Sequence, residues 1–458
     1  MLFEKSTVHF EITTVCNHRC IFCYNQYQVF DANKNQEYIS FDKYKKIINK
    51  LVEMKVDHVI LTGGEPFLHP EIKKIIDYAK SKNFSLSINT NATLLTPEIN
   101  EFLATKRISL LVSMHGTDNL FNKLVGMKTF DKVKKNIINA RNEYDLKITL
   151  QFVPLKENYK QLDKVAEFGK KVGCYVQVGR YTDPCGTGEN YPEMGLSQQE
   201  YHALFKNIIK IKKELQIPIG LGNGIPFCMI DEESISNDIL NLFNRCGCSL
   251  GRSIWTLNPN GDIRGCPQLN VNIGNILTNT LDELTLELDK RYNSQLIVPT
   301  ICQNCEIQIL CSGGCRASGF VRSGSINSYD PLFPQDEIKR NLSIKLIEQK
   351  IKIIAGAKKE KLEKKLNGKE ILKYNKDLNG RIQGEIYYIR GFGSKGFIYK
   401  ELNETATAIL KKFNHPMQIS IAIQELADEF STNPKEIKQD VFECVEDLIT
   451  SDILQFSK

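Results

Sequence analysis

The stretch that most constrains this chain is Cys16-Asn17-His18-Arg19-Cys20-Ile21-Phe22-Cys23-Tyr24, with three cysteines spaced C-x3-C-x2-C. A loop this short can turn three thiolates toward one point. It cannot supply a fourth, because the next cysteine is Cys174. Three soft ligands and an open position suit a cubane iron–sulfur cluster whose remaining iron is left for another molecule. The same spacing admits a zinc ion with His18 as fourth ligand, or reduced cysteines without metal.

A second stretch narrows the choice. Asp57-His58-Val59-Ile60-Leu61 reads as a buried strand, and Thr62-Gly63-Gly64-Glu65-Pro66 follows at its C-terminal end. Two adjacent glycines let a ligand approach the backbone closely. Together the two stretches resemble the signature of the radical S-adenosylmethionine (radical SAM) enzymes. The resemblance implies a 4Fe–4S cluster on Cys16, Cys20 and Cys23 whose open iron chelates the amino and carboxylate groups of SAM. Reductive cleavage of SAM then yields the 5′-deoxyadenosyl radical that takes a hydrogen from substrate. It also implies that Gly63, Gly64, Glu65 and Pro66 place the SAM amino group, and that Phe22, just before the last cysteine, belongs to the same cofactor-binding set. Ser113, in Ser113-Met114-His115-Gly116, matches a further family position that contacts the ligand; an ordinary strand-ending serine is the alternative. Arg180 is another candidate SAM contact, with a surface cation as its alternative. His115 reads as structural.

From residue 8 to about 180, strand and helix patterns alternate. Strands are expected at 8–12, 57–61, 84–89, 108–113, 147–153 and 174–178. Helices are expected after Ser40 and after Pro70, and over 97–103, 129–142 and 158–172. Six such units imply an α/β fold with a parallel sheet and right-handed crossovers, which matches the family's partial (β/α)6 barrel. Both motifs then fall at C-terminal strand ends, where barrel enzymes place their chemistry. The 458 residues predict about three domains. The fourteen cysteines cluster in a long chain, which argues against a disulfide framework. The first residues lack an apolar signal core and no apolar run approaches a membrane span. A cytoplasmic, reducing location and no membrane partner are expected. The net charge of +6 permits an acidic partner without requiring one.

A second cysteine field begins at Cys248, Gly261 and Cys266, followed by Cys302, Cys305, Cys311 and Cys315 at C-x2-C-x5-C-x3-C spacing. Residues 254–257 and 261–264 read as a hairpin over Asn258-Pro259-Asn260-Gly261. Alone, this field also suits a zinc ribbon. Behind a radical SAM barrel it resembles the SPASM domain, which implies one or two auxiliary iron–sulfur clusters. Carried over by position, Cys248, Cys266 and Cys315 hold the first cluster, with Cys246 or Cys228 as fourth ligand and Cys246 preferred. Cys302, Cys305 and Cys311 hold the second. The family expects one more cysteine soon after Cys315, and Tyr329-Asp330-Pro331-Leu332 stands there instead. Asp330 is therefore a candidate oxygen ligand; an open iron or no second cluster are the other options.

Residues 336–369 read as a lysine-rich linker helix. Beyond it, strands over 382–389 and 396–400 and helices over 403–413, 418–429 and 434–450 are expected. This order, with Leu402-Asn403-Glu404-Thr405-Ala406 and Asp440-Val441, resembles the peptide chaperone of pyrroloquinoline quinone biosynthesis, a RiPP recognition element (RiPP: ribosomally made, post-translationally modified peptide). The resemblance implies a winged-helix-like domain that adds a leader peptide as an extra strand. Glu443, Glu446 and Asp447 on the last helix weigh against nucleic acid, whose phosphates need cations. The domains expected are 1–225 (barrel), 226–335 (SPASM), 336–369 (linker) and 370–458 (peptide recognition). The function implied is modification of a precursor peptide, by a thioether or carbon–carbon crosslink, with an electron donor such as flavodoxin or ferredoxin. The alternatives are a peptide epimerase using Cys185 as a catalytic hydrogen donor, a maturase of the anaerobic sulfatase type, and an iron–sulfur redox sensor that binds DNA.

Overall fold

A computed structural model describes residues 6–25, 37–183, 194–222, 224–243, 247–251, 254–292, 297–305, 307–356, 366–375, 378–383, 386–393, 396–451 and 453–457. The chain forms two compact units. The first comprises Met1–Met229, Cys246–Asn304 and Cys311–Phe333, and the second Ile230–Arg245, Cys305–Leu310 and Pro334–Lys458.

The first unit alternates as the sequence pattern predicts: β1 Thr7–Thr13, α1 Phe41–Glu53, β2 His58–Gly63, α2 Ile72–Ser81, β3 Ser85–Thr90, α3 Pro97–Thr105, β4 Ser109–Ser113, α4 Asp118–Val125, α5 Phe130–Asn142, β5 Ile148–Phe152, α6 Leu162–Val172, β6 Tyr175–Val178, α7 Gln198–Leu215 and β7 Ile219–Leu221. Strands β1 to β7 pair in parallel in chain order. Helix α1 shows the logic of one unit. The Ser40 hydroxyl accepts the Lys43 N–H at its start, and Tyr44, Ile47, Ile48 and Leu51 are buried along one face. Tyr44 stacks on Phe10 of β1 at 5.4 Å. Burying each such side chain stabilises the fold by about 1.5–3 kcal/mol.

Helices α4 and α7 and strand β7 were not expected. Yet α7 opens on a complete capping box, Ser197 with Glu200, and that Ser-x-x-Glu signal is visible in the sequence. The 254–264 hairpin is present, as β8 Ile254–Leu257 and β9 Asp262–Arg264, followed by β10 Asn272–Asn275, α8 Leu281–Tyr292 and α9 Arg316–Ser323. It extends the same sheet: β8 pairs in parallel with β1, Thr7 opposite Ile254 and Phe10 opposite Leu257. The ten strands run β10-β9-β8-β1-β2-β3-β4-β5-β6-β7.

In the second unit, α10 Glu337–Gly356 precedes β11 Ile371–Tyr374, β12 Leu378–Gln383, β13 Ile386–Gly393, β14 Gly396–Leu402, α11 Glu404–Lys412, β15 Met417–Gln418, α12 Ile419–Glu429, α13 Pro434–Thr450 and β16 Leu454–Phe456. Asn403 caps α11 through the Ala406 N–H, as its place before the helix predicts. The core includes Leu372, Ile389, Phe413, Ile419, Val445 and Leu448. Two expectations change. The described residues of the stretch 382–389 fall in two antiparallel strands, with Gln383 opposite Ile386. The helix predicted to reach 369 is described only as far as Gly356, and residues 366–369 are not helical. Among the described residues, no helix is long and apolar enough to cross a membrane.

Candidate active site at the C-terminal strand ends

Strand β1 delivers the chain into the cysteine loop, and neighbouring elements pin that loop in place. The backbone N–H groups of Arg19 and Ile21 donate to Val125 and Leu124 at 2.9 and 3.0 Å. Asn17 donates to Thr93 at 2.8 Å and accepts from Asn91 at 2.7 Å. Ala92, between these two, is held in the left-handed region at φ 61°, a conformation that costs about 1–3 kcal/mol and is found where function over-determines the backbone. The His18 Nε2 pairs with the Thr129 hydroxyl at 3.0 Å, which occupies that nitrogen. Among the described residues, no group of three or more His, Cys, Asp or Glu side chains converges on a single metal position.

Cys16, Cys20 and Cys23 are all partly buried. Burial pushes the Cys20 thiol well up, and the charges of Cys23 and Cys16 push it further, so the three lie within electrostatic reach of one another. The Cys23 thiol is raised to about 12, again mainly by burial. Such thiols stay protonated until a metal centre displaces the protons. Three neighbouring thiols supply the soft donor types that a cluster with one open iron uses, although they do not converge on a single metal position.

The Gly-Gly-Glu-Pro turn sits where the sequence expected it, at the end of β2, but the glycines serve the protein's own backbone. A Cβ on Gly63 would lie 2.2 Å from the Thr13 carbonyl oxygen, and one on Gly64 would lie 2.0 Å from that of Val15. The Gly64 N–H donates to Thr13 at 2.8 Å and the Glu65 N–H to Val15 at 2.7 Å. The two motifs are therefore one packed body. The Glu65 side chain is buried and accepts from the Asn91 N–H (2.7 Å), the Thr90 hydroxyl (2.8 Å) and the Phe67 N–H (3.2 Å). Burial outweighs these donors and raises its carboxyl to about 7. A buried carboxylate short of cationic partners fits the ammonium group of SAM. Pro66 opens a short 3-10 turn, Pro66–Leu68. Phe22 packs edge-on against His115, centroids 4.5 Å apart. Ser113 is the last residue of β4, opposite Gln151 of β5. His115 is buried, accepts the Val153 N–H at 3.0 Å, and has its imidazole pushed down to about 3 by burial and then by His18. It is a neutral structural group, as expected.

Arg180 and Asp330 were offered separately, to SAM and to a cluster. The structure joins them to each other. Arg180 donates to both Asp330 carboxylate oxygens at 2.6 and 2.7 Å and to the Gly224 carbonyl at 2.8 Å. Asp330 also accepts the N–H groups of Cys315 (2.6 Å) and Leu332 (2.8 Å). Both side chains are buried, so each satisfies a charge that would otherwise be stranded. Arg180 also lines a cavity of about 150 Å³ with Thr182, Gln198, Tyr201, Ser318 and Arg322. That is smaller than the roughly 300–1,000 Å³ usual for a cofactor-sized ligand.

In the second cysteine field, the Cys266 thiol is raised by burial and then by the charges of Cys315 and Cys248. Cys311 accepts the Phe227 N–H at 3.3 Å, and Cys228, next to Phe227 in the chain, is buried. Cys302 is buried, and Cys305 belongs to the second unit. Cys185 and Cys246 lie outside the described residues. Two charged residues that the sequence reading passed over are also buried here, Glu11 and Arg264, paired at 2.5 Å. A glutamate in the apolar strand Val8-His9-Phe10-Glu11-Ile12 was the available signal.

Residues 10–169 match the radical SAM superfamily, and residues 394–454 match coenzyme PQQ synthesis protein D (PqqD). The radical SAM match implies a SAM ligand and a 4Fe–4S cluster. The chain is 25% identical to mycofactocin maturase of Mycolicibacterium smegmatis over 338 residues, covering 70% of this chain and 80% of the relative. It is 20% identical to PqqA peptide cyclase of Bradyrhizobium diazoefficiens, covering 70% and 84%. In structure it resembles SuiB of Streptococcus suis, with TM-score 0.58, 19% identity, and 72% and 78% of the two chains covered.

Proposed function

We propose that this radical SAM protein is a peptide maturase: it modifies a ribosomally made precursor peptide whose leader is held by the PqqD-type domain. The observation that carries the reading is the union, in one chain, of the radical SAM and PqqD matches. The likeness to mycofactocin maturase and PqqA peptide cyclase supports it. The work divides among a barrel (1–225), an auxiliary region (226–335) and a peptide-recognition domain (370–458), with 336–369 as linker. Cys16, Cys20 and Cys23 hold the cluster that, together with SAM, supplies the radical chemistry. Glu65 faces the SAM ammonium group, the Gly63–Gly64 turn holds the cysteine loop against it, Phe22 and Ser113 bound the same site, and Pro66 sets the turn. Cys248, Cys266 and Cys315 hold a first auxiliary iron–sulfur cluster, and Cys302, Cys305 and Cys311 a second. Electrons enter from a flavodoxin- or ferredoxin-type donor.

The reaction is a crosslink. Closing a thioether or carbon–carbon bond from a substrate radical releases one further electron and one proton, so an acceptor is required and the product is two hydrogens lighter. An auxiliary iron–sulfur site suits that role. The test is mass spectrometry of a precursor peptide, encoded beside this chain, after anaerobic incubation with the reconstituted enzyme, SAM and reductant. The expected product is lighter by about 2 daltons, from the two lost hydrogens, and is absent with the Cys16→Ala/Cys20→Ala/Cys23→Ala variant. An unchanged mass with one deuterium gained in heavy water would replace the crosslink with epimerisation.

A further inference from the structure

The second unit contains a strand edge that a helix of the same unit already flanks. Strands β12, β13 and β14 form a three-stranded sheet in that order, so β12 and β14 are its outer strands. An outer strand presents a row of backbone N–H and C=O groups to any extended segment that comes alongside. Helix α11 packs against both β13 and β14, as an element lying across a sheet does, whereas α10 lies close to β14 and to the 3-10 turn Glu232–Ser234. Covering an outer strand with a helix keeps stray strands away from it. A helix spends its backbone hydrogen bonds internally, so it shields such an edge without pairing with it along its length.

Helix α10 is poorly built for a permanent cover. Among its described residues the buried ones are Arg340, Ser343, Ile347 and Ile351, which share one face at helical spacing, and the first two are polar. The opposite face carries Ile338, 81% exposed, and Leu342, 39% exposed. Ile347 and Ile351 stand outside the apolar core that contains Leu372, Ile389, Phe413 and Leu448, so that core does not depend on α10. We propose that α10 is a displaceable cover: it competes with the precursor leader for the outer edge of β14, and the leader binds by adding a strand there in its place. A peptide strand pairs with the edge groups that the helix only shields, and this gives the exchange its direction. The inference rests on the reading that this domain holds a leader peptide.

The test is hydrogen–deuterium exchange read by mass spectrometry on the full-length chain, with and without a synthetic leader of the precursor peptide encoded beside it. The leader should slow amide exchange in β14 and speed it in α10. Fluorescence anisotropy with the same peptide should show binding about tenfold tighter in Ile347→Ser/Ile351→Ser, because the edge is uncovered for more of the time. The pair Ile338→Ser/Leu342→Ser, on the exposed face, should leave the affinity unchanged. Slowed exchange in β14 with unchanged or slowed exchange in α10 overturns the proposal and makes α10 a fixed support. Protection at β12 instead of β14 overturns it too, as does equal tightening in the two serine pairs or unchanged affinity in a folded Ile347→Ser/Ile351→Ser protein. If that variant does not fold, the exchange pattern of the wild type decides alone. A leader that binds neither wild type nor variant, and leaves exchange in the whole domain unmoved, removes the leader-binding reading and this inference with it.

Discussion

Replacing Glu65 by glutamine removes a charge from a position the fold has made costly for charge. The side chain is 1% exposed. Its three hydrogen-bond donors all favour the carboxylate, yet burial prevails and moves the carboxyl from an ordinary 4.5 to about 7. The folded protein therefore holds a proton that the unfolded chain has lost between these two pH values. With the folded pKa raised, the stabilisation is fully present below about pH 4.5 and is lost as pH rises through about 7. At 1.36 kcal/mol for each pH unit, the loss is about 3 kcal/mol in the protein without SAM. Glutamine keeps the shape and does not titrate. Urea unfolding of iron-free wild type and Glu65→Gln, from about pH 4 to pH 8, should show wild type losing about 3 kcal/mol relative to the variant. Parallel curves would refute the argument, because they would mean that the three donors or local water hold Glu65 ionised at every pH. A cation placed beside Glu65 would reverse the balance, which is why the same residue suits the ammonium group of SAM.

Two further outcomes follow from the packing. Gly64→Ala places a methyl 2.0 Å from the Val15 carbonyl, where only backbone can give way; a loss of about 3 kcal/mol and reduced iron after reconstitution are expected, whereas Ser40→Ala at the remote α1 cap should cost about 1 kcal/mol and leave iron uptake unchanged. Arg180→Met strands Asp330 without its partner and should cost about 3–5 kcal/mol by thermal or urea unfolding; weakened SAM binding with an unmoved unfolding midpoint would return Arg180 to the cofactor.

The sequence by itself determined the alternation of strands and helices, the place of both motifs at strand ends, and the caps at Ser40 and Asn403. These are local: a period of two or of 3.6, a hydroxyl or amide just before a helix, two glycines after an apolar run. Each can be read within one turn or one strand, since the interactions that decide it lie within a few residues. The tertiary structure decided the rest. It showed that Gly63 and Gly64 admit the backbone of Thr13 and Val15, that Arg180 is held by Asp330, 150 residues away, and that Glu11 reaches Arg264 across 253 residues. It also joined β8 to β1, making the hairpin of the second cysteine field a continuation of the barrel sheet. A charged residue in a sequence carries no record of its partner. The partner is chosen only when distant elements pack, exclude water, and leave each buried charge unable to persist without an opposite one.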